Sequence, residues 1–175
     1  MSKNIVLCGF MGSGKSTIGK RLSRQLHMPF YDSDAFVEEK VGKSISDIFA
    51  QEGEEVFRKL ETACIKELSQ MQGVIIATGG GVVMRPENVA YLKQNGIIVY
   101  LNPSLRRLIR NLLTDHSRPL LEGGNKIQKI KTLRAKRHKT YQKVCDVEIK
   151  KDKLRESTEA ILEFYVKLQK CEATS

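Results

Sequence analysis

No apolar run in this chain is longer than Ile97-Ile98-Val99-Tyr100-Leu101, five residues. That is far below the ~20 a helix needs to cross a bilayer. The N-terminus has one Lys, a short apolar stretch and then glycines. It lacks an apolar core followed by a small-residue cleavage site, so no signal peptide and no membrane partner is expected. Cysteine is sparse. Cys8, Cys64, Cys145 and Cys171 lie far apart, with no C-x-x-C and no Cys/His cluster. A structural zinc site is therefore not expected, and scattered thiols fit packing positions in a reducing cytoplasm. Internal repeats, low-complexity tracts and linkers are also missing, which leaves no obvious domain boundary. The 175 residues correspond to one domain at about 150 residues each. A chain of this size buries roughly 70% of its unfolded surface and needs no disulfide or metal to hold it.

What the chain has is an uneven charge. Its formal net charge is +10. Residues 1–100 carry 12 Lys+Arg against 11 Asp+Glu, whereas residues 101–175 carry 18 against 9. Lys126 to Lys143 holds eight bases and no acid. Such a segment suits either a nucleic-acid face or a face that handles phosphates and carboxylates.

Short apolar runs alternate with helical stretches. Asn4 to Cys8, Pro29 to Tyr31, Val74 to Ala77, Ile97 to Leu101 and Val147 to Ile149 read as strands. Helices are predicted from Lys15 to about Leu26, over Ala35 to Val41, from Ser44 to about Gln72 with a bend near Gly53, from Pro86 towards Gly96, from Pro103 to about Leu113, over Lys126 to Lys143, and over Ser157 to Lys170. Asp115 to Asn125 reads as a mobile loop. Strands separated by helices imply a parallel sheet with right-handed crossovers and helices on both faces, an α/β fold.

Gly9-Phe10-Met11-Gly12-Ser13-Gly14-Lys15-Ser16 matches G-x-x-x-x-G-K-[ST], the P-loop, with a strand before it and a helix after it. Gly12, Ser13 and Gly14 let successive N–H groups point at phosphate oxygens, and the helix dipole adds to them. Lys15 reaches the β- and γ-phosphates, and the Ser16 hydroxyl suits Mg²⁺. A nucleoside triphosphate is expected here. Asp32-Ser33-Asp34 follows the second strand, at the end of a parallel sheet where ligands bind. If the segment is extended, alternation points both carboxylates the same way. One would support Mg²⁺ and the other would accept hydrogen bonds and a proton from a hydroxyl. The same residues also suit a helix N-cap and a solvated neighbour. Arg58 and Glu61 lie one helical turn apart, as a positioned guanidinium or as a surface ion pair. Gly79-Gly80-Gly81 after the third strand offers bare backbone for close approach of a ligand. The third strand carries no metal-holding Asp, so Asp32 is the replacement. Arg118 in the polar loop suits an arginine finger on a closing flap. Arg137 suits capture of a carboxylate, or is one of eight bases on a solvated face.

Together these elements resemble the shikimate kinase family over nearly the whole chain. The resemblance rests on Gly9 to Thr17, Asp32-x-Asp34, Phe57-Arg58-x-x-Glu61, Gly79-Gly80-Gly81, Arg118-Pro119-Leu120-Leu121 and Arg137-x-x-x-Tyr141. It implies a P-loop kinase fold: a five-stranded parallel sheet in the order 2-3-1-4-5, flanked by helices. Residues 1–175 would form a single kinase domain, with a substrate-binding helical region over about 35–62 and a lid over about 112–125. It implies phosphorylation of the 3-hydroxyl of shikimate by ATP with Mg²⁺, on the route to chorismate and aromatic amino acids. Asp34 would bind shikimate hydroxyls and serve as base. Arg58, Arg137 and the Gly80 backbone would hold the carboxylate, in a substrate site that also includes Gly79 and Gly81, and Thr17 would join the phosphate loop in binding the nucleotide. Lys15 and Arg118 would neutralise phosphates, Ser16 and Asp32 would serve Mg²⁺, and Arg110 would lie against adenine. Cys145 stands before Asp146 where the family often has Ala. Residues 150–155 match no motif.

A related kinase for gluconate or a nucleoside monophosphate is the near alternative. Paired arginines with an Asp pair favour an acceptor bearing both carboxylate and hydroxyls. A nucleic-acid-binding protein is the distant one, and only Tyr141 supplies an aromatic within the basic stretch for base stacking. A cytoplasmic protein acting on a small molecule, without nucleic acid, is expected, and a monomer, because no long apolar surface stripe is evident.

Overall fold

A computed structural model describes residues 2–113 and 125–173. In chain order the elements are β1 (Asn4–Gly9), α1 (Lys15–Leu26), β2 (Phe30–Asp32), α2 (Ser33–Val41), α3 (Ile45–Gln70) and β3 (Ile75–Ala77). A 3₁₀ turn (Val82–Met84) leads into α4 (Pro86–Asn95), β4 (Gly96–Leu101), α5 (Leu105–Leu113), α6 (Lys126–Val144), β5 (Val147–Ile149) and α7 (Leu154–Ala173). All strand pairings are parallel, and the five-stranded order is β2-β3-β1-β4-β5, as the resemblance implies.

β1 is the centre of the sheet and is buried along its whole length. That explains its near-continuous apolar sequence, since a strand covered on both faces has no side that must be polar. Alternation divides its side chains between two cores. Val6 and Cys8 join Ile76, Ile98 and Tyr100 beneath α3, α4 and α6. Ile5 and Leu7 join Ile75, Val99 and Leu101 beneath α1 and α7. A third, smaller cluster of Val37, Ile48, Phe57 and Cys64 packs α2 against α3, and it underlies the helical region expected over about 35–62.

Two local features set where the site lies. Gly53 has φ +83° and ψ 171°, so α3 bends there as expected. Asp146 accepts the Ile98 N–H at 2.7 Å while its own N–H donates to the Ile98 carbonyl at 2.8 Å, which aligns β5 beside β4. The Cys145 that precedes it packs at the edge of the core beneath α3, α4 and α6. The expected boundaries shift by a few residues. The fourth-strand helix begins at Leu105 rather than Pro103, because Ser104 caps it: Leu108 N–H reaches the Ser104 carbonyl and Arg107 N–H the Ser104 hydroxyl. The closing helix begins at Leu154, one turn before Ser157. Most of the expected loop and lid, residues 114–124, lies outside the described residues.

Candidate active site

The phosphate loop follows from β1. Gly12 and Gly14 take φ +74° and +94°, the left-handed region open to glycine at little cost. Gly14 therefore ends the loop as the N-cap of α1 with no side chain to satisfy the first helical N–H groups. Those donors, with the helix dipole, make an anion site. The Lys15 ammonium donates to the Gly9 and Phe10 carbonyls at 3.0 Å each, which holds it across the loop. Ser13 is buried, and its Oγ has no hydrogen-bond partner among the described residues. Gly12, Gly14, Lys15, Ser16, Thr17 and Asp32 line a cavity of about 420 Å³.

The Ser16 hydroxyl donates to Asp32 Oδ2 at 2.6 Å. Asp32 Oδ1 accepts the Asp34 N–H at 3.1 Å as the N-cap of α2. Asp32 is thus both a helix cap and a carboxylate beside the phosphate loop. A hydroxyl next to a carboxylate is a hard-oxygen donor set of the kind Mg²⁺ takes when waters and phosphate oxygens supply its other ligands. Among the described residues no cluster of three or more His, Cys, Asp or Glu forms an all-protein metal cage.

A second cavity, also about 420 Å³, is lined by Asp34, Arg58, Glu61, Gly79–Gly81 and Arg137 among others. Met11, Asp34, Gly79 and Gly80 line both cavities, so they are neighbours with a shared wall. The glycines explain how three charged side chains converge. A Cβ on Gly79 would collide with the Asp34 carboxylate. One on Gly81 would stand 2.6 Å from Arg58 Nη1, and one on Gly80 3.3 Å from Arg137 Nη1. Each charged group lies directly against backbone.

Two buried hydroxyls hold this glycine segment. Ser33 Oγ accepts the Gly79 N–H at 2.8 Å, tying the segment to the start of α2. The Tyr141 hydroxyl donates to the Gly80 carbonyl at 2.6 Å, tying it to α6. Tyr141 is fully buried and stacks on Tyr100, ring centroids 4.9 Å apart. Burial pushes its phenol well above the ordinary value, so it stays a donor.

Arg58 is only 14% exposed and Glu61 2%. They pair at 2.8 Å. Burial raises the Glu61 carboxyl above its ordinary value, while the charge and hydrogen bond of Arg58 oppose that rise. This is not an ordinary surface ion pair. It is a partly desolvated guanidinium held from behind by a buried acid.

The expectation that Asp32 and Asp34 point the same way through strand alternation fails in its premise. β2 ends at Asp32, and Asp34 lies in the first turn of α2. Both carboxylates still reach the first cavity, because the turn swings Asp34 back over Gly79. Arg137 lies half-buried on Gly80, whereas Lys129, Lys131, Lys136, Lys139 and Lys143 of the same helix are exposed. Arg110 is exposed on α5 and lines neither cavity; it lies near Asp152, whose acidity its charge enhances after the two Ser104 hydrogen bonds. Its neighbour Asn111 instead reaches the phosphate loop, with Nδ2 donating to the Gly12 carbonyl at 2.9 Å. Arg118 lies outside the described residues. The parts played by Ser33, Asn111 and Tyr141 escape sequence reasoning. Only the spacing of Arg137-x-x-x-Tyr141 hinted at the last.

Two outcomes follow from this packing. Tyr141→Phe leaves the Gly80 carbonyl unpaired and is expected to cost about 1–3 kcal/mol of stability in urea unfolding. Gly81→Ala places a methyl in the space of the Arg58 guanidinium. It is expected to weaken acceptor binding at least about tenfold by calorimetry, a loss of about 1.4 kcal/mol or more, while triphosphate binding stays within about twofold.

A family model described as shikimate kinase matches residues 11–167. The shikimate kinase of Thioalkalivibrio sulfidiphilus is 42% identical over 166 residues, 94% of this chain and 87% of that protein. The shikimate kinase of Haemophilus influenzae is 44% identical over 151 residues, 86% of this chain and 84% of that one. Among solved structures, a shikimate kinase from Acinetobacter baumannii in complex with shikimate superposes with a TM-score of 0.90 at 36% identity, covering 95% of this chain and 94% of that one. The shikimate kinase of Aquifex aeolicus gives 0.78 at 36% identity, covering 98% and 99%. With the phosphate loop, the adjoining cavity and the strand order agreeing, the chain belongs to the shikimate kinase family.

Proposed function

We propose that Asp34, Arg58 and Arg137 hold the acceptor, and that Lys15 and Arg118 neutralise the transferring group, in the reaction this chain carries out. That reaction is ATP-dependent phosphorylation of shikimate, giving shikimate 3-phosphate and ADP on the route to aromatic amino acids. The observation that carries the assignment is the convergence of one carboxylate and two guanidiniums on three successive glycines, in a cavity walled against the phosphate loop.

The carboxylate of shikimate meets Arg58 and Arg137, with the Gly80 and Gly81 backbone beneath it. A planar guanidinium pairs with a carboxylate through parallel N–H bonds, which fixes orientation as well as affinity. The ring then extends towards Asp34, which lies on the wall shared with the phosphates. Asp34 accepts hydrogen bonds from the hydroxyls. As the 3-hydroxyl oxygen attacks the γ-phosphorus, its proton passes to Asp34 and the bond to the β–γ bridging oxygen breaks, releasing ADP. Ser16 and Asp32 would hold Mg²⁺, which spreads phosphate charge when bound. Lys15 steadies the β- and γ-oxygens from the floor of the loop. Arg118 supplies positive charge from the lid over about 112–125, and its closure excludes water that would otherwise hydrolyse ATP. Adenine lies towards Arg110 and the start of α7, where Leu154 packs on Gly14.

The chain is read as a single domain, a cytoplasmic monomer that acts on a small molecule and binds no nucleic acid. Among the described residues the exposed large apolar side chains are Leu113, Ile127 and Val166, and no helix is long and apolar enough to cross a membrane. Cys8 and Cys64 are buried and Cys145 is half-buried, as packing thiols would be.

A coupled ADP-release assay with shikimate, gluconate and nucleoside monophosphates as acceptors tests the substrate; turnover with shikimate alone is expected, and faster turnover with either of the others contradicts it. Arg58→Ala and Arg137→Ala should each raise KM for shikimate about 10- to 100-fold, the loss of a charge-assisted hydrogen bond, with KM for ATP within about twofold. Arg118→Ala should lower kcat about a thousandfold and leave the shikimate Kd nearly unchanged. Equal losses for both ligands in both groups of variants would contradict the roles.

A further inference from the structure

Arg58 has more carboxylate around it than a binding residue requires. Glu61 takes Nη1 from behind. Glu54 takes the other edge: its Oε1 accepts from Nε at 3.3 Å and from Nη2 at 3.1 Å. The Nε/Nη2 edge is one of the two edges by which a guanidinium grips a carboxylate with parallel bonds. The two acids differ in their freedom to leave. Glu61 is 2% exposed, whereas Glu54 is 63% exposed, so Glu54 can turn into water at little cost. It also follows Gly53, where the helix bends and a Cβ would meet open space among the described residues. A further cavity of about 440 Å³ is lined by Glu54, Arg58, Gly81, Arg85 and Arg137 among others. Arg58, Gly81 and Arg137 also line the acceptor cavity. Glu54 therefore stands where an acid approaching Arg58 from outside would arrive.

We propose that Glu54 is a stand-in carboxylate that occupies the outer edge of Arg58 until the carboxylate of the substrate displaces it, so that Glu54 sets acceptor affinity without touching the reacting atoms. The proposal rests on the assignment of Arg58 to the substrate carboxylate. Displacement exchanges one carboxylate for another on the same donors, so Arg58 is never left with unpaired, largely buried N–H groups. The substrate gains only the difference between the two pairings, and an acceptor lacking a carboxylate cannot displace Glu54 by this exchange.

The test is calorimetric titration of shikimate and of ATP into the wild-type chain and into Glu54→Gln, Glu54→Asp, Arg58→Ala and the Glu54→Gln/Arg58→Ala double variant. Glu54→Gln keeps the shape and removes the charge. It is expected to bind shikimate about two- to fivefold more tightly, the range of an exposed ion pair, with ATP binding unchanged. Glu54→Asp keeps the charge on a shorter stem that retreats from Arg58, and it is expected to tighten shikimate binding likewise. In the Arg58→Ala background the Glu54→Gln gain should vanish. Unchanged or weaker binding by Glu54→Gln overturns the proposal and makes Glu54 a simple support for Arg58. Tightening by Glu54→Gln but not by Glu54→Asp also overturns it, in favour of a general charge effect. If Arg58→Ala leaves shikimate binding intact, the assignment of Arg58 itself fails; if Arg58→Ala weakens binding and neither Glu54 variant tightens it, the role of Glu54 alone fails.

Discussion

A bare stretch of backbone, Gly79 to Gly81, is the surface on which the rest of the site depends. Glycine is required there for space. The Asp34 carboxylate and the Arg58 and Arg137 guanidiniums each lie where a Cβ would intrude. These groups come from α2, α3 and α6, and without the glycines the three helices could not bring charge so close to one point. The segment itself is fixed by Ser33 from one side and Tyr141 from the other. It is a rigid platform rather than a flexible link.

The electrostatics of the platform are those of a site built to accept anions. Arg58 is largely buried, and burial pulls a guanidinium towards its neutral form. Glu61 and Glu54 outweigh that pull and hold it charged. The acid behind it, Glu61, is kept by burial above its ordinary value, with Asp34 adding to the rise. Asp34 thus belongs to both cavities in geometry and in charge: it faces the phosphate side and is felt by the acid behind Arg58. Phosphoryl transfer gains chiefly from positioning and charge. A carboxylate on the wall between two anion pockets serves both needs.

How much of this was legible in the sequence depended on how local the cause was. The phosphate loop was fully legible, since its glycines, Lys15 and Ser16 form one continuous stretch whose geometry follows from backbone freedom. The parallel sheet was legible from apolar runs, because strands buried on both faces have no alternation to hide them. The Asp32 and Asp34 pair was found for an incomplete reason. Their convergence comes from a helical turn, and pattern alone could not place the boundary between β2 and α2. Arg137 could not be told from its basic neighbours, because what distinguishes it is contact with Gly80, 57 residues away. Ser33 and Asn111 are illegible for the same cause, and Tyr141 is legible only as a member of Arg137-x-x-x-Tyr141. Each is a common polar residue given meaning by a single distant carbonyl or N–H.

The most direct test of the account is a crystal structure of this chain with shikimate and ADP bound. The shikimate carboxylate is expected on Arg58 and Arg137 above Gly80, with its 3-hydroxyl beside Asp34 and facing the phosphate loop. A shikimate carboxylate directed at Lys15, or seated away from both arginines, would contradict it.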